Sequence, residues 1–129
     1  MILNKPECQK IVDRVISILG KNINIINSEG IIIASGDKSH VNSFHKGAKL
    51  AAFEKKEVIV EDKDLNSYEG CRKGVNLPIY HNDEVLGVVG ITGEPSENCI
   101  CKRNQIITQQ LRFYRNSLLS IKYNLEVTI

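Results

Sequence analysis

Tryptophan is absent from this 129-residue chain, and aromatic residues make up only 5% of it. Single-stranded nucleic acid is gripped largely by aromatic side chains that stack on bases, so a stacking platform is excluded. An excess of one charge is missing too, since 17 basic residues stand against 15 acidic ones for a net +2. A surface that holds a phosphate backbone needs clustered basic residues, and no nucleic-acid contact by this chain is expected. No apolar run approaches the ~20 residues that cross a bilayer, so no membrane partner is expected. The opening MILNKPECQK lacks the basic-then-apolar layout of an export signal. Without one, the four cysteines Cys8, Cys71, Cys99 and Cys101 read as reduced thiols of a cytoplasmic protein. Phosphate loops, dinucleotide fingerprints and nucleophile elbows are lacking as well. Gly90-Ile91-Thr92-Gly93 has neither the Lys nor the following helix that a phosphate loop requires. No enzyme activity, catalytic residue, metal or cofactor is expected.

What is present is ordinary for a globular protein: 42% hydrophobic and 25% charged residues, at the length of one domain. Residues 1–129 are read as that single domain. Pro6 and Glu7 suit a helix start, Ile11, Val12, Val15, Ile16 and Leu19 recur at helical spacing, and Gly20 suits a stop. Asn24–Asn27 and Ile31–Ser35 flank Ser28-Glu29-Gly30 as a β-hairpin. A helix is expected over 41–55, carrying Val41, Phe44, Ala48, Ala51, Ala52 and Phe53, with Ser39 as its cap. Glu57–Glu61 is a short strand, followed by a polar loop over 62–71 that Leu65 and Tyr68 anchor. Val75–Tyr80 and Val85–Ile91 form a second hairpin, in which Pro78 marks an edge or a bulge. Ile107, Leu111, Tyr114, Leu118, Ile121 and Leu125 form a heptad seam on one long helix over 102–125. The fold class is therefore α+β, an antiparallel five-stranded sheet with helices on at least one face.

Polar and glycine residues gather in three patches at strand ends, where backbone amides meet ligands. They are Ser35-Gly36-Asp37 with His45 and Gly47, then Gly70-Cys71-Arg72-Lys73-Gly74 with Asn76, and then Gly90 to Pro95 with Gly93 and Glu94. Taken singly, Gly36, Gly74 and Gly93 read as turn glycines. Arg72 has the planar fork that suits a carboxylate, and His45 adds a hydrogen bond or a charge.

These patches also carry a resemblance. Asn22–Ile25, Gly30–Asp37 and Phe44-His45-Lys46-Gly47-Ala48, then Gly70–Ile79, then Gly87–Pro95, resemble the sugar diacid recognition domain of carbohydrate diacid transcriptional regulators. The likeness runs over about residues 6–123. It implies a PAS- or Cache-like sensor that cups a small hydroxy carboxylate of the glycerate, glucarate or galactarate type. A homodimer is expected through the terminal helix, with a DNA-binding region further downstream in a full-length regulator. The resemblance implies a ligand site of Ser35, Gly36, Asp37, His45, Gly47, Arg72, Lys73, Gly74, Asn76, Gly93 and Glu94. Arg72 would pair with a carboxylate, while Ser35, Asp37, His45 and Asn76 would meet hydroxyls or the acid and Gly93 would offer an amide. Asp37 and Glu94 suit hydroxyls or loop fixing, since like charges repel. Ser96–Cys101, with its paired cysteines, departs from the family pattern. The other reading is a dimerisation module with no small-molecule ligand. A zinc site on Cys99, Cys101, His40 and His45 has the wrong ligand spacing.

Overall fold

The computed structural model describes residues 5–67, 73–81 and 83–93 of the chain. Helix α1 (Lys5–Leu19) begins as the sequence predicts, with Pro6 in a first turn that needs no amide from it. Cys8, Ile11, Val12 and Val15 are buried, one stripe at i, i+3, i+4 and i+7. Gly20 closes the helix at φ +66, and its N–H returns to Ile16 O at 2.8 Å. That is the left-handed helix stop glycine adopts without steric cost.

Strands β1 (Ile23–Ile26) and β2 (Ile32–Ser35) form the expected hairpin. Its turn is closed by the Asn27 side chain, whose Oδ1 accepts from Glu29 N and Ile31 N, both at 3.0 Å. Strand β3 (Val58–Val60) is followed by the long hairpin β4 (Gly74–His81) and β5 (Glu84–Thr92). All neighbouring strands are antiparallel, in the order β2-β1-β5-β4-β3. Pro78 lies beyond the three residues of β4 that pair with β3. It also precedes a register shift between Ile79 and Tyr80. Both positions spare the ladder the amide that proline lacks.

Helix α2 spans Lys46–Glu54, a later start than the 41–55 expected, and Ser39 does not cap it. The chain before it is held as an outer rung on β2. Ile32 N donates to Ser43 O, Asn42 N donates to Ile32 O, and Ile31 bridges Phe44. Asn42 sits at φ +76, which no helix tolerates. The hairpin's edge thus outcompetes a helical turn for these amides. Leu65 differs too, remaining exposed rather than anchoring its loop.

The helices cover opposite faces of the sheet. α1 packs with Ile23, Ile25, Ile79, Val89 and Ile91. Ala48, Ala51 and Ala52 of α2 pack with Ile26, Ile32, Val58, Val60 and Val88. Each fully buried Ile or Val contributes roughly 1.5–3 kcal/mol. A sheet covered on both faces explains why β1 and β2 read as continuous β-branched runs rather than alternating ones. The heptad seam over 102–125 lies outside the described residues.

Candidate functional site

Among the described residues, four polar ones are buried in this core: Asn24, Ser35, His45 and Asn76. Register places three of them in one row across the sheet. Ser35 opposes Asn24, Asn24 opposes Gly90, Gly90 opposes Asn76, and Asn76 opposes Val58. Residues directly opposite share a face. The row therefore crosses all five strands on the α2 face, since Val58 packs in the α2 cluster.

Each member is fixed by specific bonds. The Ser35 hydroxyl donates to Asn24 Oδ1 at 2.5 Å and accepts from Asp37 N at 3.0 Å. The Ser35 backbone is clamped from α1, where Gln9 Nε2 donates to its carbonyl at 2.9 Å and Gln9 Oε1 accepts its N–H at 3.2 Å. Asn76 Nδ2 donates to Val58 O at 3.3 Å. Between the two asparagines, Gly90 contributes no side chain. A Cβ there would stand 3.2 Å from Asn76 Oδ1 and 3.4 Å from Ile26 Cδ1.

His45 is the N-cap of α2, accepting from Ala48 N at Nδ1 over 3.1 Å. That bond leaves the ring proton on Nε2. Burial holds the His45 pKa below its ordinary value of 6.5, with a backbone hydrogen bond opposing more weakly. The imidazole is therefore neutral at pH 7. Asn24, His45, Gly74, Asn76, Gly90 and Thr92 border a small, partly open cavity of about 10 Å³, room for one water-sized group such as a hydroxyl. Gly74 is held to glycine by the backbone, since a Cβ would lie 2.1 Å from Ile91 O. A polar floor of amides under a helix N-terminus suits a small, hydroxylated, anionic ligand.

The family described as "Putative sugar diacid recognition" matches residues 3–114 of the chain. The chain belongs to that family. A carbohydrate diacid regulator of Escherichia coli (strain K12) is 33% identical over 115 residues, covering 85% of this chain and 30% of the relative. The uncharacterized protein YsfB of Bacillus subtilis (strain 168) is 34% identical over 97 residues, covering 75% and 26%. The chain thus spans less than a third of the length of these relatives. In structure it is similar to the GAF domain of an Acinetobacter phosphoenolpyruvate-protein phosphotransferase. The TM-score is 0.59 at 12% identity, covering 86% of this chain and 81% of that one. At that identity the likeness shows the fold alone, a PAS-like one.

In this diacid recognition domain, Ser35, His45, Gly74 and Asn76 come together around the row and its cavity. Gly47 is buried in the first turn of α2. Asp37 is exposed and fixes its loop, accepting from Ser39 N at 3.1 Å and Ser39 Oγ at 2.6 Å. It also lies 3.5 Å from His40. Gly36 lies against Asn22 and Ile16, where a Cβ would meet Asn22 Oδ1 at 2.3 Å. Lys73 reaches Asp62 at 3.5 Å, and its carbonyl accepts Gly93 N at 3.0 Å. Neither Lys73 nor Gly93 borders the cavity. Arg72, Glu94, Cys71, Cys99 and Cys101 lie outside the described residues. Among the described residues, no three His, Cys, Asp or Glu side chains gather as metal ligands. No described helix is long and apolar enough to cross a membrane.

Two members of the site escaped the sequence reading. Asn24 was legible only as a strand residue, although an Asn within a β-branched run is unusual enough to mark a position. Gly90 stood at the head of the third patch but carried no binding role of its own.

Proposed function

We propose that this domain is the ligand-sensing part of a carbohydrate diacid regulator and binds a small hydroxy carboxylate of the glycerate, glucarate or galactarate type. The observation that carries this reading is the row Ser35–Asn24–Gly90–Asn76 beneath His45. Buried amides facing a cavity are costly unless a ligand or water meets them. A polyhydroxy acid is heavily hydrated and needs such groups to replace its water.

The α2 N-terminus favours the negative end of a ligand. Arg72 is proposed as the ion-pair partner of one carboxylate, with Glu94 beside it. The role is binding rather than catalysis. Residues 1–129 act as one domain whose 102–125 helix pairs with that of a second copy. Ligand binding shifts that pairing through differential affinity for two helix arrangements. DNA contact belongs to a region beyond this chain in a longer regulator.

The test is a thermal-shift panel of glycerate, glucarate, galactarate, tartrate and citrate. At a hundredfold excess over Kd, binding adds roughly 2.7 kcal/mol. For a domain of this length that is about 10 °C in Tm. A selective rise with one or two hydroxy acids is expected. A flat panel, with no co-purified small molecule in the mass spectrum, overturns the reading in favour of an interaction module.

A further inference from the structure

We propose that Asn24 and Asn76 are the specificity-determining pair of this site, together reading one ligand hydroxyl and rejecting the carboxylate that lacks it. This rests on the reading of the cavity as a hydroxy-acid pocket and names the atoms that discriminate.

The two asparagines have the same chemistry but present opposite poles, because each has one end already engaged. Ser35 Oγ accepts the Asp37 N–H, so its single proton is directed to Asn24 Oδ1. The Asn24 carbonyl is thereby satisfied, and its NH2 is the group left for the cavity. Asn76 is oriented the other way. One N–H of its NH2 is engaged by Val58 O, which orients the amide so that Oδ1 lies over Gly90. Among the described residues, no protein group meets Asn24 Nδ2 or Asn76 Oδ1. Asn24 is 6% exposed and Asn76 3%, so open solvent does not serve them freely. Both residues border the cavity and both oppose Gly90 in the sheet.

A donor and an acceptor on either side of a position with no side chain call for one group that accepts and donates at once. An alcohol does so with a single oxygen. A methylene in the same place leaves both amide ends unpaired, which is the strongest basis a site has for rejecting an analogue. Ser35 is then a positioning residue, since it fixes which end of Asn24 the ligand meets.

The experiment is calorimetric titration of the 129-residue chain with three pairs of acids matched in charge and carbon number. They are tartrate and succinate, galactarate and adipate, and glycerate and propionate. The variants are Asn24→Ala, Asn76→Ala and Gly90→Ala. Gly90→Ala leaves both asparagines in the chain and sets a methyl 3.2 Å from Asn76 Oδ1, so it remains informative if an asparagine variant does not fold. In the wild type the hydroxylated member binds at least tenfold more tightly. In each folded variant that ratio falls to within about threefold, with the loss confined to the hydroxylated acid. Wild-type ratios near one, or variants that keep the wild-type ratio, overturn the pair as reader while leaving the pocket standing. No binding by any of the three hydroxy acids overturns the pocket and the reader together.

Discussion

His45 joins the fold to the site within one side chain. Its Nδ1 caps α2 while its ring borders the cavity, so protonating the ring costs the cap as well as burying a charge. Because the folded pKa lies below 6.5, the unfolded chain takes up the proton first as pH falls. Stability is therefore complete above 6.5 and is lost as pH drops below it towards the folded value. Asn is a good N-cap with no charge to gain. Urea titrations should thus show wild type losing stability relative to His45→Asn between pH 7.5 and about 5.5. A pH-independent gap between the two proteins would count against this role. At the same scale, most of the site was legible: Ser35, His45, Gly74 and Asn76 stood out as polar or glycine residues at strand ends. Asn24 was not legible as a ligand group, because its partner Ser35 is set by strand register and not by any local pattern.

At the level of elements, the edge strand β2 is completed from two directions. The stretch at Asn42 and Ser43 supplies backbone partners to Ile32, and Gln9 of α1 supplies both a donor and an acceptor to Ser35. An open edge is thereby covered without another strand. Gln9→Ala removes both hydrogen bonds to Ser35 and an exposed one to Asp13, and is expected to cost about 1–2 kcal/mol in urea denaturation. It should also speed exchange of the Ser35 amide selectively. Unchanged exchange at Ser35 would show that the clamp is not needed. Helix α1, both hairpins and β3 follow from spacing and turn residues. The start of α2 does not, because amides at 41–44 choose between a helical turn and the edge of β2, and only the assembled hairpin offers that edge.

Across the whole molecule, α1 and α2 seal the two faces of the sheet, and the polar row lies on the α2 face. A ligand held in the cavity would touch three strands, β1, β4 and β5, and the N-cap of α2, so occupancy would stabilise the domain as a unit. The proposed pairing of the 102–125 helices predicts a dimer. Light scattering at tens of micromolar should give twice the 14.5 kDa chain mass, and a monomer there would remove the pairing. As the chain spans under a third of its relatives, the response of a whole regulator is to be measured on the longer protein.

By itself the sequence determined the strands, the first helix, the closing glycine and the family, because those rest on local conformational preference and on motifs carried in linear order. The tertiary structure alone decided that Ser35, Asn24, Gly90 and Asn76 share one row, and which end of each asparagine is left over. Those outcomes depend on register between strands separated by up to 66 residues, as in Asn24↔Gly90. A shift of one residue would turn the same side chains to the opposite face.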